Sequence, residues 1–228
     1  MKKIDVLIVG AGISGIGAAC HIKQDCPDKT FAIVEAREAI GGTWDFFRYP
    51  GIRSDSDMYT MGYGFKPWIG DKALADGESI RNYICDAAAE NEVTARIRTG
   101  HRVQAAQWDS ERASWQVDIL QTASGEAVQI ECRFLYMCTG YYDYDRPHEP
   151  EFAGSDKFAG AIVHPQHWSE ELDYTNKKVV IIGSGATAVT MVPAMTDKAA
   201  HVTMLQRTPT YILSVDEVDS MSVFLRRY

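Results

Sequence analysis

Three glycines and one acid near the start of this 228-residue chain have the types and spacing to hold a nucleotide. Gly10-Ala11-Gly12-Ile13-Ser14-Gly15 spells G-x-G-x-x-G. In such a turn Gly10 closes tightly, Gly12 lets backbone approach a pyrophosphate, and Gly15 lets a helix pack closely on a strand. Glu35 follows about 20 residues later, where an acid hydrogen-bonds a ribose hydroxyl. A second set lies far along the chain: Gly183-Ser184-Gly185-Ala186-Thr187-Ala188, with Arg207 at its close. A guanidinium there attracts a 2′-phosphate, the group that separates NADP from NAD. The plainer alternative for Arg207 is a solvated charge at a strand end. On this spacing the chain is built for two dinucleotides, NADPH at the second cradle and FAD at the first.

The elements around each set are the ones such a cradle needs. Ile4–Val9 is a short apolar run suited to a buried parallel strand. Gly15, Ala18, Ala19 and Ile22 then repeat at helical spacing, and Phe31–Val34 is a second apolar run that delivers Glu35. The start of the helix offers N–H groups and a partial positive charge to a pyrophosphate. The later set repeats the order. Lys178–Ile182 reads as a strand, Ala188, Met191, Val192 and Met195 as the inward face of a helix, and Val202–Leu205 as the next strand. Pro193 inside that helix costs about 3 kcal/mol, so a kink is expected.

Between the cradles, Gly41-Gly42-Thr43-Trp44 opens a long aromatic loop through Asp55. Loops of that length are usually functional or disordered, and this one is too aromatic for disorder. It either covers a cofactor or lids the core. Tyr59–Asp71 reads as irregular. Asp76 or Ser79 can cap a helix reaching about Asn91, with Ile80, Tyr83, Ile84 and Ala87 inward. Strand patterns at 102–108, 115–120 and 128–132, separated by turn residues, predict an antiparallel meander. Phe134–Cys138 reads as a return to the buried parallel sheet, ending at Thr139-Gly140. The polar stretch from Asp143 to Pro150 marks a boundary.

Composition narrows the function classes. With 46% hydrophobic and 24% charged residues, the chain is an ordinary globular one. A net charge of −8 and the lack of a basic stripe argue against a nucleic-acid partner. Lys2 and Lys3 precede a run too short for a signal peptide, and no stretch is long enough to span a bilayer. Cytosol is the expected location, with peripheral membrane association left open. The five cysteines are scattered and never spaced C-x-x-C, which predicts reduced, mostly buried thiols and no zinc site.

Phe158-Ala159-Gly160-Ala161-Ile162-Val163-His164-Pro165-Gln166-His167-Trp168 reads F-x-G-x-x-x-H-x-x-x-W, just before the second glycine set. This resembles the fingerprint of the Baeyer–Villiger monooxygenases, class B flavoproteins that use FAD and NADPH. Gly41-Gly42-Thr43-Trp44 and Arg48-Tyr49-Pro50-Gly51 with Asp55 resemble that family's FAD loop. The wording of Phe47–Pro50, and much of Ile52–Met58, is similar to the family's mycobacterial ethionamide-activating branch. The resemblance runs from Ile4 to Tyr211.

The resemblance implies an α/β fold. Residues 1–142 would form a Rossmann-like FAD-binding domain with an antiparallel β-meander, 143–176 a linker bearing the fingerprint, and 177–228 the start of a second Rossmann-like, NADPH-binding domain. It implies that NADPH reduces the flavin, dioxygen adds to it, and the resulting C4a-peroxide attacks a ketone carbonyl or oxidises the sulfur of a thioether or thioamide. By position it implies FAD contacts at Gly10, Gly12, Ser14, Gly15, Glu35, Gly42, Thr43, Trp44, Asp45, Phe46, Asp55 and the backbone of Val103. It likewise implies NADPH contacts at Gly183, Ser184, Gly185, Ala186, Thr187, Ala188, Arg207 and Thr208, with Arg53 and Ser54 nearby. Asp55 is the candidate active-site acid, which in the family holds a catalytic arginine; the alternative is a turn cap within Ser54-Asp55-Ser56-Asp57. His164 and His167 lack the further ligands a metal needs. In the family His164 belongs to the interdomain linker; a histidine satisfied by backbone hydrogen bonds is equally allowed.

Two departures stand out. Ser169 follows Trp168 where the family usually has proline or aspartate. The family's catalytic arginine, the rest of its NADPH domain and the strand completing its FAD domain fall outside these 228 residues, the last of which read as helix from Ser222 to Tyr228. A non-catalytic FAD-binding fragment, or a half needing a carboxy-terminal partner or a homo-oligomer, therefore stands as the alternative to a working enzyme. A flavin disulfide reductase would need a cysteine pair beside the flavin, and Gly41–Asp55 has no cysteine.

Overall fold

The computed structural model describes residues 2–214, 216 and 218–225. In chain order the main elements are β1 (Lys2–Val9), α1 (Ile13–Asp25), β2 (Phe31–Val34), α2 (Thr43–Phe46), α3 (Met58–Met61), α4 (Gly77–Glu90), β3 (Ile97–Arg98), β4 (His101–Asp109), β5 (Ser114–Gln121), β6 (Ala127–Met137), β7 (Lys178–Ile182), α5 (Ala186–Met195), β8 (His201–Leu205) and α6 (Ser220–Leu225). They fall into two compact units, one of residues 1–46 with 80–141, the other of residues 47–79 with 142–228. None of the described helices is long and apolar enough to cross a membrane.

The first unit is built on a six-stranded mixed sheet in the order β3-β2-β1-β6-β5-β4. β2 runs parallel to β1, and all four of its residues are buried, as its unbroken apolar run requires. Leu7, Val9, Ala32, Val34, Val117, Ile119, Ile130 and Cys132 share one core cluster. α1 buries Gly15, Ile16, Gly17, Ala19 and Cys20. Its inward stripe is thus turned slightly from the one expected: Ala18 and Ile22 are only half-buried.

α4 begins one residue after Asp76, whose carboxylate accepts the Ser79 backbone N–H at 2.8 Å and the Ser79 hydroxyl at 2.8 Å. The helix places Ile80, Tyr83, Ile84 and Ala87 inward as its spacing predicted. The meander is present as β4, β5 and β6. The two strands expected at 128–132 and 134–138, however, are one. β6 pairs antiparallel with β5 over Ala127–Cys132 and parallel with β1 over Ile130–Met137. Its last residues are also not buried: Phe134, Tyr136 and Met137 are exposed. Their apolar run reflects membership of the parallel ladder and not burial on both faces.

In the second unit β7 and β8 pair in parallel with α5 between them. α5 buries Ala188, Thr190, Met191 and Met195, while Val192 is half-buried. It ends two residues after Pro193, which therefore sits in the last turn. The sheet has two strands, and Val180, Ile182 and Leu205 are exposed on them. α6 covers the first part of the expected carboxy-terminal helix; its continuation over 226–228 lies outside the described residues.

Candidate functional site

The first glycine turn is held by contacts that leave no room for a side chain. Gly10 has φ +106°, and a Cβ there would lie 2.4 Å from the Cys138 carbonyl oxygen. At Gly15 a Cβ would lie 1.9 Å from the Gly10 carbonyl oxygen. These are the tight turn and the close helix approach that the motif predicts. Gly12 is the N-cap of α1, and no side chain caps that end. A Cβ on Gly12 would meet the Gly42 Cα at 3.5 Å, so the two glycine backbones lie side by side over the helix start. Gly41 N–H donates to the Ala11 carbonyl at 3.0 Å, tying the Gly41-Gly42 turn to the first motif.

Glu35 is buried at the end of β2. Its Oε2 accepts the Ala11 N–H at 2.8 Å and its Oε1 accepts the Arg37 N–H at 2.9 Å. A carboxylate offers about four lone-pair sites, so two remain for a diol. Gly10, Gly12, Gly15, Glu35 and Gly42 are thus gathered at one end of β1 and β2, with exposed Ser14 on the first turn of α1. An uncapped helix start with side-chain-free backbone over it fits a pyrophosphate, and the buried carboxylate fits the ribose beside it.

α2 carries Thr43, Trp44, Asp45 and Phe46 next to this cradle. Asp45 is buried and receives two guanidiniums: Arg37 Nη2 at 2.6 Å and Arg81 Nη1 at 3.4 Å. Arg37 also donates to the Gly42 carbonyl at 3.4 Å and stands over the Phe46 ring. Sequence reasoning missed Arg37 and Arg81. Arg37 was within reach, because it lies two residues after Glu35; Arg81 carries no such signal. Val103 sits at a β-bulge, where the β4–β5 register shifts between Val103 and Ala105. Bulges re-aim backbone groups, so this is a place where a strand can offer an N–H or C=O outward.

The second glycine turn is open where the first is closed. Gly183 has φ +129°, yet a Cβ at Gly183 or Gly185 would meet nothing within 4 Å. Gly185 is the N-cap of α5, again without a side-chain cap, and Ala186, Thr187 and Ala188 form the first turn. The Ser184 hydroxyl donates to the Thr208 carbonyl at 3.2 Å, which ties the turn to the end of β8. Arg207 is exposed there and makes no ion pair among the described residues. An open turn, an uncapped helix and an unengaged guanidinium fit a phosphorylated dinucleotide.

Residues 47–55 pack within this second unit. Tyr49 is buried. Burial, foremost, and the Asp55 carboxylate raise the pKa of the Tyr49 hydroxyl. The Arg53 Nε is buried without an acceptor, a donor left for a further group. Ser54 is buried, and its hydroxyl donates to the Ser56 carbonyl. The cap in this stretch is Asp57, whose carboxylate accepts the Tyr59 N–H at 2.8 Å at the start of α3. Asp55 is exposed and carries no such duty.

His164 Nδ1 accepts the Gln166 N–H at 3.2 Å, capping the short 3₁₀ turn Pro165–His167. Gln166 is buried and donates to the Asp143 carbonyl at 2.7 Å. Among the described residues no group of histidines, cysteines and acids could hold a metal. All five cysteines are free. Burial pushes the Cys20 and Cys132 thiols up to about 11, which makes them packing groups and not nucleophiles.

A family model described as pyridine nucleotide-disulphide oxidoreductase matches residues 7–223. The putative FAD-containing monooxygenase MymA of Mycobacterium tuberculosis is 56% identical over all of this chain and 47% of its own length. The FAD-containing monooxygenase EthA of Mycolicibacterium smegmatis is 56% identical over all of this chain and 46% of its own. The chain thus spans about half the length of these curated relatives. Among solved structures, OTEMO in complex with FAD and NADP superposes with a TM-score of 0.75 at 32% identity, over 91% of this chain and 39% of that one.

Proposed function

Since the chain belongs to the pyridine nucleotide-disulphide oxidoreductase family and is a homologue of the class B, Baeyer–Villiger-type FAD-containing monooxygenases, we propose that it is the amino-terminal part of an FAD- and NADPH-dependent monooxygenase. Residues 1–142 serve FAD, 143–176 link, and 177–228 begin the NADPH domain. Bound FAD and NADPH would supply the redox chemistry that activates O2 and delivers one oxygen atom to a ketone or to the sulfur of a thioether or thioamide. The observation that carries the proposal is the tandem of uncapped, glycine-led helix starts, the earlier beside a buried acid and the later beside an unengaged arginine.

The chain's own residues then divide the work. Gly10, Gly12, Ser14 and Gly15 receive the FAD pyrophosphate, and Glu35 receives its ribose. Gly42, Thr43, Trp44, Asp45, Phe46 and the Val103 backbone close over it, the aromatic groups keeping water from the reacting ring. Gly183, Ser184, Gly185, Ala186, Thr187 and Ala188 receive the NADPH pyrophosphate. Arg207 and Thr208 take its 2′-phosphate, with Arg53 and Ser54 close by. Asp55 is exposed and stands as the acid that would hold the arginine the family's chemistry uses.

Purified chain supplied with FAD and then NADPH tests this with a ketone and a thioether as substrates. Yellow protein that oxidises NADPH supports the monooxygenase; colourless protein overturns the flavin reading. The exposed apolar side chains of the two-stranded β7–β8 sheet favour a second reading, in which turnover needs a carboxy-terminal partner or a second copy. Yellow protein without NADPH oxidation would mark that outcome.

A further inference from the structure

Gly41 and Gly42 are the most flexible pair of residues at the first cradle, and both are held in left-handed backbone, at φ +112° and +56°. They have no side chains to keep them there, so the turn is ordered by what grips it from outside. Its amino end is tied by backbone, through the Gly41 N–H on the Ala11 carbonyl at 3.0 Å. Its carboxyl end is tied by a side chain. Gly42 opens α2 by accepting the Asp45 and Phe46 N–H groups at 3.1 and 2.9 Å. Arg37 grips that opening at three points. Its Nη1 donates to the Gly42 carbonyl at 3.4 Å, its Nη2 meets the buried Asp45 carboxylate at 2.6 Å, and its guanidinium lies 5.2 Å from the centre of the Phe46 ring. The root of Arg37 is fixed at the ribose acid: its N–H donates to Glu35 Oε1 at 2.9 Å, and its carbonyl accepts the Gly100 N–H at 3.0 Å. Arg37 therefore reaches from the buried carboxylate to the glycine backbone that lies beside Gly12. Arg81 comes to the same Asp45 from α4 at 3.4 Å, and donates otherwise to Asn82 and not to the turn.

We infer that Arg37 is a positioning residue for the first dinucleotide, setting the Gly41-Gly42 turn against Glu35 so that the pyrophosphate and ribose contacts are in register before FAD arrives. The inference rests on the FAD reading of that cradle. A guanidinium is a rigid fork that holds two acceptors at once, whereas a lysine ammonium is a single point on a flexible stem. Holding a glycine pair in its bound conformation lowers the ordering cost at binding without adding a contact to the ligand. Arg81 shares the anion but not the turn, and serves stability alone.

The test is FAD titration of the full 228-residue chain and its variants by flavin fluorescence, beside thermal unfolding of the same proteins without FAD. Arg37→Lys keeps a cation beside Asp45 and loses the fork. Its FAD dissociation constant is expected to rise roughly three- to tenfold, the span one hydrogen bond supplies, while its unfolding midpoint stays near that of the wild type. Arg81→Met keeps the stem of the side chain, whose Cγ stands beside Gly41, and removes one guanidinium from Asp45. Its midpoint should fall and its FAD affinity should hold. If both midpoints fall and only Arg37→Lys loses FAD, the two roles are still separated. Wild-type FAD affinity in Arg37→Lys overturns the inference, as does an equal loss in both variants, which would make Arg37 one more support of the fold. Hydrogen exchange at the Asp45 and Phe46 amides of the FAD-free chain separates the inference from the function reading. If the wild-type chain binds no FAD, faster exchange in Arg37→Lys leaves the grip on the turn standing and removes the FAD reading; unchanged exchange overturns the grip as well.

Discussion

The two glycine turns share a motif and differ in how they are built. At the first, a methyl group added to Gly10 or Gly15 collides with a carbonyl oxygen at 2.4 Å or 1.9 Å; at the second, Gly183 and Gly185 have open space around them. The first opens from a central strand of six, and the second from one strand of two. Where the first motif has Gly15, the second has Ala188, and it is comfortably buried. The third position of the motif thus reports how near the helix comes to its strand, not whether a phosphate is received. The part proposed to face phosphate, a glycine N-cap without a side-chain cap, is common to both.

Alanine substitution sharpens that contrast most. Gly10→Ala meets both a positive φ and a backbone clash, so it should destabilise by about 3 kcal/mol or more in urea unfolding. Gly183→Ala meets the positive φ alone, and should cost about 1–2 kcal/mol. Equal losses would erase the distinction between a packed turn and an open one. Next come the residues that close each cradle. Arg207→Ala should weaken NADPH roughly 10- to 100-fold and leave NADH nearly unchanged, since a charge-assisted hydrogen bond contributes about 1.5–3 kcal/mol. A matching loss for both nucleotides would remove the 2′-phosphate argument. Glu35→Gln should lower FAD retention in the same range and leave NADP+ titration alone.

A smaller effect is expected where the first cradle rests on charge. Asp45→Asn leaves Arg37 and Arg81 without their shared anion. Both guanidiniums reach solvent, so the loss is held to about 1–2 kcal/mol in thermal unfolding. The smallest is a pH effect confined to the first unit. Cys20 and Cys132 have thiols raised from 9.0 to about 11, so the unfolded chain loses those protons first. Stability should hold below pH 9 and fall as pH rises from about 9 to 11. Replacing both by alanine should flatten that slope; an unaltered slope would assign it elsewhere.

The cradle was legible because its demands are local. A strand, three glycines, a helix and an acid each follow from a few neighbouring residues, and Leu7, Ile33 and Glu35 lie where that pattern puts them. The Asp76 cap and the inward face of α4 were equally plain. What the sequence hid was long-range. Nothing in 127–137 says that one strand serves two ladders, because both halves are merely apolar enough to be strands. The run Phe134–Met137 looked buried because a parallel strand usually is, and only the sheet reveals its exposed side chains. That residues 47–79 pack with 142–228 shows only in contacts such as Gly51 against Ala194, far apart in sequence. The turn cap considered for Asp55 falls to Asp57, because the cap is set by where α3 starts. The roles of the site residues rest on the family resemblance and are what the binding experiments address.

β6 sets a limit on how this chain can change in length. Its near end is zipped to β5 and its far end runs into Cys138, whose N–H donates to the Val9 carbonyl at 2.8 Å and whose carbonyl abuts Gly10. Deleting one residue from its middle would draw that carbonyl about 3.3 Å along the sheet and invert every side chain beyond the gap. Extra residues in the hairpin bends on either side of β5 would be absorbed at the surface. Drift by insertion and deletion is therefore open to the tips of the meander and closed to the one rod that connects them to the nucleotide turn.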